Sequence, residues 1–336
     1  MKKILISILL IIPLALLNAV ANAADYTIKL SHVVAPKTPK GKAADLFAKL
    51  VEERTNGRVK VEVFPNSQLY NDNKVLEAMR LSTSKTTGIM AAPSLSKFVK
   101  FSKTLQTFDL PYLFNDVSDV HKLVDSPLMS RLSTGLDKKG LRALTVWDNG
   151  MKVFSIKSDK PLKNTPADFK GMKFRIQSSN IAASMIKNLG GTPQKLPFKE
   201  VYTSLGQGVV DGQENAWSNV YSKKFYEVQD YISVSNHSYL GYLVVVSDEF
   251  WSNLPTDIRT TVAGALKDAT AANRKFAAIA DKGDRKKIEN DKYAKVVDMT
   301  AAERDTWRKA TAPVWAEFRN EIGGELIDDV QKLLAH

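Results

Sequence analysis

The 336-residue chain contains no cysteine. That absence excludes disulfide bonds, thiolate metal sites, thiol catalysis and thiol redox chemistry. A chain of this size can fold without disulfides, because folding buries roughly three quarters of the surface that the unfolded chain exposes. The chain is also longer than a domain with one hydrophobic core usually is, so two lobes are expected.

Histidine is scarce as well. The four histidines are far apart, at His32, His121, His237 and His336. None has the spacing of metal ligands, and a metal site assembled from distant residues is left as the alternative. The sequence also lacks a P-loop, a G-x-S-x-G nucleophile elbow and an H-E-x-x-H helix. Gly206, Gly208 and Gly212 are spaced one residue too far for a dinucleotide loop. We therefore predict no metal, no cofactor and no enzymatic activity.

Long apolar runs are limited to the N-terminus, at residues 4–17. The run follows Lys2 and Lys3 and precedes the small-residue site Ala21-Asn22-Ala23, which is the order of parts in a secretory signal peptide. At about 14 residues it is shorter than the roughly 20 that span a bilayer. We predict that residues 1–23 are removed on export and that the mature chain is soluble in the periplasm. An uncleaved N-terminal anchor is the alternative.

The chain is basic, with a formal net charge of +12, which loss of Lys2 and Lys3 would reduce to +10. Such a charge can indicate binding to nucleic acid or to an anionic membrane. Here basic and acidic residues are interleaved, as between Lys49 and Lys60, and no nucleic-acid-binding motif is present. We interpret the charge as a solvated basic surface whose positive field attracts anions.

Hydrophobic periodicity near the N-terminus predicts a βαβ unit. Residues 26–30 and 59–63 alternate between apolar and other side chains, and residues 39–56 carry apolar residues at helical spacing. A strand, a helix and a strand within about 40 residues imply parallel strands with a right-handed crossover.

Similar patterns continue along the chain. Strands are predicted at residues 141–147, 172–176 and 239–246, and helices at residues 180–189, 198–205, 255–291 and 301–334. The stretch 255–291 is longer than an ordinary globular helix, so it either breaks or runs between two lobes. No flexible linker is visible, which favours an α/β fold whose lobes are joined by several crossings.

Residues 168–176 end on a strand pattern in which Arg175 lies between Phe174 and Ile176. Alternation on a strand points the guanidinium away from its two apolar neighbours. A planar guanidinium in a cleft suits a carboxylate, because it donates two parallel hydrogen bonds. From spacing alone, a surface arginine or a structurally paired one is the alternative.

This segment, with residues 195–202 and 208–215 after it, resembles the solute-binding component of tripartite ATP-independent periplasmic (TRAP) transporters, of the DctP type. The resemblance covers nearly all of the chain after residue 23, in order. The other segments that carry it are residues 31–36, 38–44, 64–69, 92–94, 108–112, 147–152 and 235–242.

The resemblance implies a two-lobed periplasmic binding protein fold, type II-like, with the ligand in the cleft between the lobes. The first lobe is expected to hold residues 24–149 and 241–280, and the second residues 150–240 and 281–336. The long helix would cross both lobes, which would close about hinges near Asn149 and Leu240.

The resemblance also assigns site residues. Arg175 would bind a ligand carboxylate, and the Asn215 amide would donate to the same group. Lys152 occupies a position that is often arginine in related sialic acid binders. Lys40 is expected to bind the distal carboxylate, with Ser94 and Lys97 on the same lobe. Phe198 would pack over the ligand. Trp217, Tyr239 and Tyr242 are candidates for the walls of the cleft, with a place in the hydrophobic core as the alternative for each aromatic residue.

Cationic groups on both lobes favour a C4-dicarboxylate such as succinate, malate or fumarate. A monocarboxylate or 2-oxo acid is the alternative. The resemblance further implies a monomer that delivers its ligand to the membrane permease subunits and has no nucleic-acid partner. Presentation of the ligand to a sensor kinase or chemoreceptor, and an exported hydrolase or lyase, are the rival functions.

Overall fold

The structure is a computed structural model that describes residues 24–334. The predicted signal peptide and His336 lie outside the described residues. The described residues form ten strands: β1 (Tyr26–Ser31), β2 (Val59–Phe64), β3 (Thr87–Ala91), β4 (Leu141–Ile156), β5 (Lys173–Ile176), β6 (Thr192–Lys195), β7 (Gly212–Ala216), β8 (Tyr231–Val234), β9 (Tyr239–Ser247) and β10 (Lys295–Asp298).

Eleven α-helices accompany these strands in the described part of the chain: α1 (Pro39–Arg54), α2 (Asp72–Arg80), α3 (Val117–Val124), α4 (Leu128–Leu132), α5 (Asn180–Asn188), α6 (Val201–Gly206), α7 (Trp217–Ser222), α8 (Asp248–Asn253), α9 (Thr256–Asp291), α10 (Ala301–Ile322) and α11 (Gly324–Leu334). Short 3-10 helices lie at Leu95–Lys100, Thr104–Asp109, Asp137–Lys139, Phe198–Glu200 and Phe225–Val228.

The N-terminal βαβ unit is confirmed. β1 pairs in parallel with β2, with Tyr26 opposite Val59. The α1 helix begins where Thr38 caps it by accepting a hydrogen bond from the Gly41 amide, with proline at the first helical position. This unit places the loop between β1 and α1 at the carboxyl end of the sheet, where ligands bind in open α/β folds.

The strands form a mixed sheet with two parts, which confirms the two-lobed α/β fold. The first lobe is built on the order β2-β1-β3-β9-β4 and the second on β4-β7-β5-β6, with β8 and β10 beyond β4. β4 belongs to both parts: residues 141–151 pair with β9, residues 152–156 pair with β7, and residues 154–156 also pair with β8. One 16-residue strand therefore connects the lobes.

The crossing between the lobes is irregular. The pairing of β4 with β9 shifts register between Asp148 and Gly150, and the Gly150 backbone has a φ of +149°. Only glycine adopts this conformation readily. A side chain at Gly241 on β9 would meet the Tyr239 ring at 2.3 Å. Both glycines are therefore required at the crossing, and hinges near Asn149 and Leu240 remain a prediction.

The long helix α9 runs unbroken for 36 residues. It packs on α1 and β4 in the first lobe and on α7 and β10 in the second. Its buried face, which includes Val262, Ala265 and Ala269, joins a hydrophobic cluster with Phe47 of α1. The long stretch thus runs between the lobes instead of breaking.

The C-terminal stretch differs from its prediction as one helix, since it forms α10 and α11. The break falls at Gly323, which has a φ of +108°. α10 packs against α5 of the second lobe, whereas α11 packs against α3, which lies in the residue range predicted for the first lobe. The residue boundaries of the two lobes remain a prediction.

No helix within residues 24–334 is long and apolar enough to cross a membrane.

Candidate functional site

A cleft lies between the two lobes. The first lobe contributes the loop after β1, the start of α2 and the 3-10 helix at Leu95–Lys100. The second lobe contributes the end of β5, the segment after β6 and helix α7. The lining residues used below are Asp72, Lys97, Arg175, Gln177, Phe198, Lys199, Asn219 and Tyr242.

Arg175 lies on β5 at the floor of this cleft and is completely buried. Its Nε and Nη2 donate to the Leu196 carbonyl at 3.1 and 2.9 Å. Its Nη1 is buried and has no partner among the described residues. Burial lowers the pKa of Arg175 to about 10, so the guanidinium is charged at neutral pH. A buried cation with a free donor is a site for an anion.

Lys97 and Ser94 connect the two lobes across the cleft. The Lys97 ammonium donates to the Ser178 hydroxyl at 2.9 Å, and the Ser94 hydroxyl donates to Gln177 Oε1 at 3.1 Å. Burial lowers the pKa of Lys97. These contacts hold the lobes together, so the structure shows a closed cleft.

Lys40 lies one layer behind the cleft wall. Its ammonium is buried, donates to the Ala92 carbonyl at 2.8 Å and lies 3.6 Å from the centre of the Tyr242 ring. Burial lowers the pKa of Lys40 to about 8. It also lowers the pKa of the neighbouring His32 to about 3, with the charge of Lys40 adding to the effect, so that imidazole is neutral at pH 7. Lys40 thus contacts the ring of the cleft residue Tyr242, and its role at the distal carboxylate of a ligand remains a prediction.

This arrangement predicts pH-dependent ligand affinity. A bound anion stabilises the Lys40 ammonium, so the Lys40 pKa rises in the complex and binding takes up a proton at alkaline pH. Anion affinity should therefore fall about fivefold as the pH rises from 7 to 9, on the basis of a free pKa of about 8. Calorimetry at several pH values, in buffers of different ionisation enthalpy, measures both effects. Lys40→Met should reduce the dependence to the part that Lys97 contributes, while Lys60→Met on the exposed face of β2 should keep it whole. An unchanged slope in Lys40→Met would contradict the prediction.

Asn215 is buried on β7 behind the cleft wall. Its Nδ2 donates to Gln213 Oε1 at 3.2 Å, and its Oδ1 accepts from Asn219 Nδ2 at 2.8 Å. Asn219, on helix α7, is the residue of this pair that lines the cleft. Asn215 thus contacts a cleft residue, and its direct contact with a ligand remains a prediction.

Lys152 is engaged in a buried ion pair. Its ammonium lies 2.7 Å from Glu214 Oε2, and both side chains are almost fully buried. The pair faces His237, whose Nε2 is 3.6 Å from the same carboxylate oxygen. Burial alone would raise the pKa of Glu214, but Lys152 and His237 outweigh it and hold that pKa at about 2. Lys152 is absent from the cleft lining, and its role as a ligand residue remains a prediction.

Three of the predicted aromatic residues differ in position: Phe198 lines the cleft, and Trp217 and Tyr239 do not. Phe198 lines the cleft and packs edge-on against Phe225, with ring centres 5.9 Å apart. Trp217 lies in a hydrophobic cluster of the second lobe with Arg285 over its ring. Tyr239 donates its hydroxyl hydrogen to Asp148 at 2.5 Å, away from the cleft lining.

Gln177 and Asn219 are cleft residues that the sequence interpretation did not select. Gln177 directly follows β5, at the carboxyl end of a parallel strand, which is a position typical of ligand contacts. Asn219 follows Asn215 by four residues, across the boundary from β7 to α7. Within residues 24–334, no group of three or more His, Asp or Glu side chains could bind a metal ion.

A two-lobed α/β fold with a cleft lined by buried cations and amides defines a binding protein for a small anion. The family comparison agrees with that class. Residues 30–321 match the family model described as bacterial extracellular solute-binding protein, family 7, named DctP. The chain belongs to this family, which confirms the resemblance seen in its motifs.

Curated relatives include the C4-dicarboxylate-binding periplasmic protein DctP of Shewanella loihica, 45% identical over 316 residues, which cover 94% of this chain and 92% of the relative. The protein of the same name from Rhodobacter capsulatus is 43% identical, covering 95% and 94%.

Solved structures with a similar fold are also solute-binding proteins. A TRAP periplasmic solute-binding protein from Shewanella oneidensis with bound succinate has a TM-score of 0.88 and 43% identity, covering 93% of this chain and all of that chain. One from Pseudomonas aeruginosa with bound L-malate has a TM-score of 0.82 and 38% identity, covering 87% and 99%. The chain is a DctP-type solute-binding protein of the TRAP class.

Proposed function

We propose that this protein captures a C4-dicarboxylate in the periplasm and delivers it to the membrane permease of a TRAP transporter. The observation that carries the proposal is the free, buried Nη1 of Arg175 in a closed cleft that has a second cation, Lys97, on the opposite lobe. Such a pair suits a ligand with two carboxylates, one near each lobe.

The charge of the cleft supports a dianion. Its lining contains three cations, Lys97, Arg175 and Lys199, against one carboxylate, Asp72. A dianion neutralises the resulting double positive charge, whereas a monoanion leaves a net positive charge on a lining in which Arg175 is buried and Lys199 is exposed. The bound ligands of the Shewanella oneidensis and Pseudomonas aeruginosa structures, succinate and L-malate, are dicarboxylates of this type.

Delivery of the ligand to a membrane permease is the second step of the proposal. It is supported by the family and by the names of the relatives, which are periplasmic solute-binding proteins. A leader of the secretory type at residues 1–23 is consistent with a periplasmic site. Ligand capture without chemical conversion is supported by the lining, in which the ionisable groups are three cations, the Tyr242 hydroxyl and the single carboxylate Asp72. A general base of the usual kind would be a histidine or a pair of carboxylates.

Calorimetry with C4 and smaller acids tests the proposal. Succinate, malate or fumarate should bind with about micromolar affinity, equivalent to about −8 kcal/mol. Lactate and pyruvate should bind at least about a hundredfold more weakly, because they lack the second carboxylate. Proton NMR of the incubated ligand should show no product. Tight binding of lactate or pyruvate together with no binding of any dicarboxylate would overturn the proposal.

A further inference from the structure

A chain of buried polar side chains runs through the second lobe to the cleft. Ser155 Oγ donates to Gln229 Oε1 at 3.0 Å, and Gln213 Nε2 donates to Ser155 Oγ at 2.9 Å. Asn215 Nδ2 donates to Gln213 Oε1, and Asn219 Nδ2 donates to Asn215 Oδ1. All five residues are nearly or fully buried, so bulk water does not compete for these bonds.

Backbone groups fix the direction of this chain. At its inner end, Gln229 Nε2 donates to the carbonyls of Asp211 and Val228, which turns Gln229 Oε1 toward Ser155. Near its outer end, the Ala216 amide donates to Asn215 Oδ1 at 3.2 Å. Backbone groups cannot exchange donor and acceptor roles, so each amide in the chain has one consistent orientation.

The orientation leaves one acceptor of Asn219, a residue that lines the cleft, unused among the described residues. The two hydrogens of Asn219 Nδ2 go to Asn215 Oδ1 and to the Tyr242 hydroxyl oxygen, at 2.8 and 3.3 Å. Asn219 Oδ1 is buried and has no donor among the described residues. A buried acceptor without a donor is unfavourable, so this oxygen needs a donor from the ligand or from water.

Two donors accompany this acceptor in the same cleft. One is the free Nη1 of Arg175. The other is the Tyr242 hydroxyl, which accepts from Asn149 Nδ2 at 2.7 Å as well as from Asn219, so its own hydrogen is left for a ligand. Two donors suit a carboxylate, and the acceptor suits a hydroxyl group beside it.

We propose that Asn219 Oδ1 accepts a hydrogen bond from a hydroxyl group of the ligand, so that the site prefers a 2-hydroxy dicarboxylate to an unsubstituted one. The inference rests on the proposed function, since it selects within the dicarboxylates. A 2-oxo dicarboxylate would bring a second acceptor to Asn219 Oδ1 and should bind worst. A site built to bond a hydroxyl discriminates against ligands that lack it, because its own polar atom is then left unpaired.

Calorimetry on the wild-type chain tests the preference directly. One enantiomer of malate should bind about tenfold more tightly than succinate, which is the size of one well-placed hydrogen bond. Methylsuccinate, which replaces the hydroxyl by a methyl group, should bind no better than succinate. Equal affinities for succinate and both malate enantiomers, or a methylsuccinate that matches malate, would overturn the inference. Failure of every dicarboxylate to bind would instead overturn the proposed function.

Two variants distinguish the role of the Asn219 acceptor from that of the Tyr242 donor. In Asn219→Ala, the affinities of malate and succinate should lie within about twofold of each other, even if both affinities are lower than in the wild type. In Tyr242→Phe, both affinities should fall by a similar factor and the ratio should survive, because the donor serves a carboxylate that both ligands have. A malate preference that survives in a folded Asn219→Ala protein would contradict the assignment. If either variant does not fold, the wild-type ligand series decides.

Discussion

Arg175→Ala is expected to abolish measurable dicarboxylate binding, with a loss of about a thousandfold or about 4 kcal/mol. Arg175 contributes a buried, charged donor that no residue of the described chain satisfies. Charge-assisted hydrogen bonds are worth roughly twice neutral ones, and closure of the cleft removes the competing water. Arg175→Lys should also bind weakly, because an ammonium cannot both bond the Leu196 carbonyl and present a planar donor pair.

The Arg175 experiment needs separate measurements of binding and folding. Calorimetry gives the affinity, and circular dichroism with thermal melting shows whether the fold survives. The matched control is Arg142→Ala, which removes another strand arginine that pairs with Asp248 outside the cleft lining. The control should keep wild-type affinity. An Arg175→Ala protein that still binds succinate or malate at micromolar concentration would remove Arg175 from the site.

Glu214→Gln is expected to lower the free energy of unfolding by about 3–5 kcal/mol. The substitution leaves the Lys152 ammonium buried without its counter-charge, because the two side chains are 3% and 1% exposed. The double variant Lys152→Met with Glu214→Gln should recover most of the loss, since no uncompensated cation then remains. Urea unfolding monitored by fluorescence gives the three values.

The same pair predicts how stability depends on acid. The pKa of Glu214 is held at about 2 in the folded chain, below its ordinary value of 4.5. Its contribution to stability is therefore present above about pH 4.5 and is lost as the pH falls toward 2. Glu53→Gln, in an exposed pair with Lys49, should change stability by less than about 0.5 kcal/mol and is the control. A Glu214→Gln protein as stable as the wild type would show that the pair contributes nothing.

Short-range patterns accounted for much of the fold. The βαβ unit and helix α9 are predictable because their signals lie within each segment: alternating apolar residues, apolar residues at helical spacing, and one long run of helix-forming residues. β4 was predicted too short because Asn149-Gly150 is a typical turn signal. In the structure these residues lie in a bulge that lets the strand continue to Ile156.

A residue of the candidate site is predictable only where its position in the fold depends on its own segment of the chain. Arg175 lies on a strand in the cleft, and Lys97 and Phe198 also line it, while their contacts with a ligand remain predictions. Lys152 was selected as a free cation, because its partner Glu214 is 62 positions further along the chain, and their contact depends on the pairing of β4 with β7. No local pattern in the sequence predicts which strands pair.

Three of the crossings between the lobes have a mechanical consequence. The chain passes between them along β4, ahead of β9 and along α9, so opening the cleft must bend a strand and a helix at the same level. Bending continuous secondary structure requires elastic work, and a lobe held at several places cannot rotate freely.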